Sequence, residues 1–122
     1  MGRIVHFELP STNLAASRKF YETVFGWQFT KYEGQMEYWL IKTGEAPEPG
    51  IDGGLGGAVN EFKTTVNTVG VDNIDDTLKA ATANGATVIY PKGEIPGMGW
   101  LAYIREPGGA IVGLFQGMPG SM

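Results

Sequence analysis

An internal repeat constrains the fold of this chain more than any other feature of its sequence. An asparagine able to cap a helix precedes an apolar residue at Asn13–Leu14, and the same arrangement returns about sixty positions later at Asn73–Ile74. Both segments run on to a glycine, Gly26 and Gly85, and glycine readily adopts the left-handed conformation that ends a helix. The sequence therefore predicts two copies of one unit, each a strand, a helix and three further strands.

The first copy opens with a period-two alternation that predicts a strand over residues 3–9, closed by Pro10 because proline lacks a backbone N–H. Helices are predicted over residues 14–25, where the apolar pattern ends before Gly26, and over residues 74–84. A turn-rich connection is predicted over residues 91–98. The other predicted strands span residues 27–32, 36–43, 55–59, 64–71, 86–90, 99–105 and 110–116.

Composition limits the class of protein. A chain of 122 residues fits a single domain, here with module one at about residues 3–60 and module two at about 63–117. Its net charge of −4 and its scattered lysines argue against a nucleic-acid partner. It has no cysteine for a disulfide or a thiolate metal site, and no apolar run near the ~20 residues of a membrane span. No leader-like segment precedes Arg3, so we expect a cytoplasmic protein without a membrane partner.

The longest irregular stretch, residues 44–57, is rich in proline and glycine and has two interpretations. It is either a surface loop that leads into a weak strand, or a lid at the rim of a pocket. Its glycine spacing matches neither of the common phosphate-binding loops.

The chain's one histidine, His6, shares a face of the first predicted strand with Glu8. The opposite face carries Val5, Phe7 and Leu9, which we expect to meet the helix. His6 is either a hydrogen-bonded interior residue or a binding or acid–base residue beside Glu8. In the aromatic pairs of two later strands, one ring should face the core and the other the opposite side, which favours Tyr38 and Trp100 over Trp39 and Tyr103 as ligand contacts.

Three segments carry a resemblance to a known family: VHFELPSTNLAASRKFYETVFGW, VGVDNIDDTLKAATANGATVIYP and REPGGAIVGLF. In these segments the chain resembles the vicinal oxygen chelate superfamily, which includes glyoxalase I, bleomycin-resistance proteins and extradiol dioxygenases. The resemblance implies an α+β fold of two βαβββ modules whose curved sheets surround a cavity. It does not imply one reaction, because the fold hosts lyases, isomerases, dioxygenases and proteins that only bind. Members of this length are mostly homodimers, so we expect a homodimer.

Most of the superfamily's metal-ligand positions are not occupied by ligand residues in this chain. Metal-dependent members take ligands from the first and last strands of each module, and His6 occupies one such position. The corresponding positions of module two are Val66 and Gly113, and the last strand of module one is GGLGGAV. One imidazole does not make a stable site. The comparison predicts no typical metal site, no cofactor and no metal-dependent glyoxalase I activity.

Three functions remain open from the sequence. The first is a protein of the bleomycin-resistance kind that binds a small molecule in its cavity without the usual metal. The second is an enzyme of lyase, isomerase or dioxygenase type that uses His6 and Glu8 as acid and base, or an untypical metal site. The third is a dimerising or regulatory module. The candidate ligand-binding residues are His6, Glu8, Tyr38, Thr68 and Trp100.

Overall fold

The computed structural model describes residues 2–119 of the chain. These residues form an α+β protein of two helices and eight strands, as the sequence predicts. In chain order the elements are β1 (Arg3–Ser11), α1 (Leu14–Phe25), β2 (Gln28–Tyr32), β3 (Tyr38–Lys42), β4 (Gly53–Gly57), β5 (Val66–Gly70), α2 (Ile74–Ala83), β6 (Thr87–Ile95), β7 (Gly99–Arg105) and β8 (Ile111–Gly117). Within residues 2–119, neither helix is long and apolar enough to cross a membrane.

The chain divides into two compact units. The N-terminal unit comprises His6–Val66, and the C-terminal unit comprises residues 2–5 together with residues 67–119. In the N-terminal unit, β1 pairs in parallel with β4, and β4, β3 and β2 follow as an antiparallel series. In the C-terminal unit, β5 pairs in parallel with β8, and β8, β7 and β6 follow in the same way. The two units thus share one βαβββ pattern.

The helices begin where the repeated asparagines predict. The side chain of Asn13 accepts a hydrogen bond from the backbone N–H of Ala16, and that of Asn73 accepts one from the N–H of Asp76. Each bond satisfies a donor that the first turn of a helix leaves unpaired, a contribution of about 1 kcal/mol. Gly26 ends α1 in the left-handed conformation with a φ of 72°, which only glycine adopts without strain.

Two strands run past the prolines at which the sequence predicts their ends. β1 continues through Pro10 to Ser11, whose carbonyl accepts from the N–H of Ala58 beyond β4. Backbone groups alternate between the two edges of a strand, so the nitrogen of Pro10 lies on the edge away from β4 and no bond to β4 is lost. β6 continues through Pro91 to Ile95 as the edge strand of its unit, with register irregularities between Val88 and Gly93.

The glycine-rich stretch forms more regular structure than a loop. β4 occupies Gly53–Gly57, starts earlier than predicted and pairs with a strand on each side. Its central residue Leu55 is among the most buried side chains, together with Ile41 of β3. In the C-terminal unit the core forms under α2 around Ile74, Ala102 and Leu114. These two cores fix which face of each sheet its helix covers.

Candidate functional site

The face of β1 that the helix does not cover carries the candidate site. On the covered side, Phe7 lies 6.0 Å from Trp27, which stacks on Tyr21 of α1 at 4.8 Å between ring centroids. Successive side chains of a strand point to opposite faces, so His6 and Glu8 lie on the side away from α1. The sequence predicts this division correctly for Phe7, whereas Val5, which we expected to meet the helix, borders Gly70 and is 48% exposed.

Tyr38 of β3 reaches this uncovered face and joins the two β1 residues. Its hydroxyl oxygen lies 3.3 Å from Nε2 of His6, and it is also hydrogen-bonded to the Glu8 side chain. We call His6, Glu8 and Tyr38 the trio. All three belong to the N-terminal unit, and the sheet brings together residues 32 positions apart in the chain.

Two glycines of β4, Gly54 and Gly56, make room for the ring of Tyr38. β4 lies between β1 and β3, with Gly54 opposite Glu8 on one side and opposite Leu40 on the other. A side chain at Gly54 would overlap the hydroxyl of Tyr38, and one at Gly56 would press on its ring, 3.1 Å from Cδ1. Here glycine is required by close approach rather than by backbone conformation. The GGLGG segment that reads as a weak strand is what lets the ring lie flat across β4 towards β1.

His6 and Tyr38 are partly buried, and burial shifts the pKa values of both side chains. Burial lowers the pKa of His6 below its ordinary value, and the nearby negative charge of Asp52 opposes part of that shift. Burial raises the pKa of Tyr38 well above its ordinary value, and the charge of Glu8 and its hydrogen bond to the hydroxyl raise it further. At neutral pH the imidazole therefore tends to be neutral, and the phenol keeps its proton.

A second carboxylate borders the trio at the end of the Pro- and Gly-rich loop. Asp52 immediately precedes β4, and its Oδ1 accepts hydrogen bonds from the backbone N–H of Thr43 at 2.9 Å and from the hydroxyl of Thr43 at 3.2 Å. The same hydroxyl donates to the carbonyl of Ile51 at 2.7 Å. These bonds tie the two ends of the loop together, so Asp52 holds its charge near His6 from a fixed position.

The other two candidates from the sequence belong to the C-terminal unit. Thr68 is buried, with 3% of its surface exposed, and its hydroxyl has no hydrogen-bond partner within residues 2–119. Trp100 packs against the core under α2, and the ammonium of Lys92 lies 5.5 Å from its ring centroid. The ring on the opposite face of β7 is Tyr103, which borders Gly113 beside Thr68. Alternation correctly predicts one ring on each face of β7. We expected Tyr103 on the core side, but Trp100 is the ring that packs against the core.

In the N-terminal unit the same alternation gives the predicted result. Trp39 lies on the side of α1, where the guanidinium of Arg18 sits 4.0 Å from its ring centroid, and its indole N–H donates to Glu37 at 2.9 Å. Tyr38 takes the opposite side, where it meets His6. Its contact with Glu8 is not visible in the sequence, because strand order and register decide which residues of two strands meet.

The residues present do not fit the metal site that the superfamily resemblance implies. His6 turns one ring nitrogen to a tyrosine hydroxyl rather than to a second metal-binding side chain. Gly113 has no side chain, and an added Cβ would lie 2.8 Å from the hydroxyl oxygen of Thr68. Over residues 2–119, no three or more His, Cys, Asp or Glu side chains cluster closely enough to hold an ion. A conventional site needs at least three protein ligands.

Comparisons with known proteins agree with the fold. A family model described as bleomycin resistance protein-like N-terminal matches residues 3–44. A curated relative from Mycobacterium bovis, named "Putative glyoxylase CFP32", is 28% identical over 119 residues, which cover 89% of this chain and 43% of the relative. The chain thus spans less than half the length of that relative.

Solved structures show the same architecture. A member of the glyoxalase/bleomycin resistance protein/dioxygenase superfamily from Vibrio splendidus is similar with a TM-score of 0.66 and 17% identity, over 95% of this chain and 99% of that one. Methylmalonyl-CoA epimerase from Mycobacterium tuberculosis is similar with a TM-score of 0.72 and 12% identity, over 95% and 88% of the two chains. At these identities the solved structures show that this chain shares their fold.

Proposed function

We propose that this chain binds a small molecule on the face of β1 that carries the trio, without the usual metal site. The observation that carries the proposal is the hydrogen-bonded cluster of His6, Tyr38 and Glu8 on the side of the sheet away from α1. Ionisable groups cost free energy when they leave water, so such a cluster is seldom retained for packing alone.

The chemistry of the face suits a partly apolar ligand with a few polar groups. Tyr38 and Tyr32 meet edge to face, with 6.3 Å between their ring centroids, and present aromatic surface beside the titratable pair. His6 supplies a neutral nitrogen and Glu8 a carboxylate. Aromatic walls with a few convergent polar groups are typical of small-molecule sites.

A thermal-shift screen of the full-length chain tests this proposal. The compounds should include flat aromatic molecules and methylmalonyl-CoA. The latter is included because one structural neighbour is named methylmalonyl-CoA epimerase. A compound present at 100 times its dissociation constant should stabilise the fold by about 2.7 kcal/mol. His6→Ala and Tyr38→Phe should reduce that stabilisation, whereas Lys79→Ala on the exposed side of α2 should not. Equal stabilisation of all four proteins would contradict the proposal.

A second candidate function is proton-transfer catalysis by the same trio. It is favoured by the contact of a half-buried imidazole with a tyrosine that is itself hydrogen-bonded to a carboxylate, an arrangement typical of a general base and its support. Incubation of methylmalonyl-CoA with the protein in deuterated water tests it. Catalysis predicts deuterium uptake at the carbon next to the thioester, and His6→Ala should abolish the uptake. Binding without exchange would favour the first function alone.

A further inference from the structure

The hydroxyl of Tyr38 has two hydrogen-bond partners but a single proton. One partner is the Glu8 side chain, and the other is Nε2 of His6 at 3.3 Å. A carboxylate can only accept a hydrogen bond, so the hydroxyl must donate its proton to Glu8. The oxygen then has only lone pairs to offer His6. Nε2 of His6 must therefore carry a hydrogen and donate it to Tyr38.

From this chain of donors and acceptors, we propose that Tyr38 is a positioning residue that holds neutral His6 in the tautomer with hydrogen on Nε2. Nδ1 is then the nitrogen with the free lone pair. A ligand that meets this nitrogen must offer a hydrogen-bond donor, a hydroxyl or an N–H group. The statement about the ligand rests on the proposed function, whereas the tautomer is a property of the protein alone.

The surroundings of Tyr38 give it the rigidity that a positioning role needs. Its ring crosses β4 above Gly54 and Gly56, and the close approach at Gly54 leaves no room for the hydroxyl to shift towards the backbone. On its other side the ring meets the edge of Tyr32. A neutral imidazole in water exchanges freely between its two tautomers, so a fixed donor or acceptor decides which one a protein keeps.

Nuclear magnetic resonance of the ¹⁵N-labelled, full-length protein tests the proposal. His6 is the chain's one histidine, so its two ring nitrogens are observed without overlap from others. At pH 8, above the ordinary histidine pKa of about 6.5, the ring is neutral. The wild-type protein should show a protonated Nε2, an unprotonated Nδ1 and an Nε2 hydrogen that exchanges slowly with water.

Two variants remove the contact in different ways. Tyr38→Phe deletes the hydroxyl and keeps the ring, and Gly54→Ala displaces the hydroxyl without deleting a polar group. Both should lose the slowly exchanging Nε2 hydrogen and shift the two nitrogen signals towards each other. Tyr32→Phe, which alters the adjacent ring, should keep the wild-type signals.

Protonation at Nδ1 in the wild type, or a Tyr38→Phe variant with unchanged nitrogen signals and unchanged hydrogen exchange, would overturn the proposal. Because these spectra are recorded without a ligand, a failed screen for binding leaves the result intact. Conversely, wild-type signals in Tyr38→Phe would overturn the positioning role even if a ligand binds. The two proposals therefore fail separately.

Discussion

The hydroxyl of Tyr38 lies over Gly54, at the place where any side chain on that residue would be. The contact joins two strands, β3 and β4, and it directs the tyrosine towards β1. The contact also requires glycine at position 54, because any other side chain there would force the ring of Tyr38 away from His6. Glycine at this position is thus part of the site.

The first prediction follows from that contact. Gly54→Ala should lower the free energy of unfolding by about 1–3 kcal/mol, since an added methyl group in a closely packed place forces its neighbours to move. Urea denaturation followed by circular dichroism measures the change. Gly57→Ala in the same strand is the matched control, because its added Cβ would make only an ordinary contact, 3.7 Å from Val59. Equal losses in the two variants would show that the overlap with Tyr38 is unimportant.

The second prediction concerns pH. Burial lowers the pKa of His6 in the folded protein, so between that lowered value and about 6.5 the unfolded chain binds more protons than the folded one. The free energy of unfolding should therefore rise with pH through this window and fall as the solution is acidified. His6→Gln, which cannot titrate, should lack this slope.

Urea denaturation at several pH values from about 5 to 7.5 measures the slope in both proteins. Carboxylates titrate in the wild type and the variant alike, so the difference between the two curves isolates the histidine. Parallel curves would mean that the folded and unfolded states hold the His6 proton equally well. The same comparison made on ligand binding would show whether the ring's charge affects the ligand.

The third prediction is that the purified protein holds no tightly bound metal. His6 is the one residue that matches a ligand position of the metal-dependent members of the superfamily that the sequence resembles, while Val66 and Gly113 occupy two others. Elemental analysis of protein prepared without an affinity tag should give well under one equivalent of zinc, nickel, iron or manganese. One equivalent in the wild type that disappears in His6→Ala would contradict the prediction and restore a metal-dependent reaction as a candidate.

The fourth prediction concerns assembly. Open sheet edges are normally paired or covered, and members of this length in the superfamily that the sequence resembles are mostly dimers, so we expect a two-fold homodimer. Light scattering at micromolar concentrations should give about twice the 13.1 kDa of one chain. A mass that stays at the single-chain value across that range would contradict it.

Local signals in the sequence predict much of the fold. The asparagine caps and the glycines that follow the helices locate α1 and α2 to within a residue, and the bounds of β7 are predicted without error. The alternation along β1 also separates the helix side from the side of His6. These features depend on residues that are close together in the chain, so they can be inferred directly from the sequence.

The errors occur where distant parts of the chain decide. Pro91 reads as a strand breaker, but it lies in an edge strand with an irregular register, where one missing N–H costs little. The choice between Trp100 and Tyr103 depends on which side of β7 the helix α2 covers. The contact of Tyr38 with Glu8 and His6 requires the order and register of three strands, and no short stretch of sequence specifies either.

The first residues of the chain belong to the C-terminal unit, and this has a consequence for folding kinetics. Val5 packs on Gly70, and the chain between them contains nearly the whole N-terminal unit. The N-terminal unit can form from one continuous segment, whereas the C-terminal unit is complete only after a loop of about sixty residues has closed. Contacts between residues far apart in the chain slow folding, so residues 2–5 should be the last segment to join the C-terminal unit.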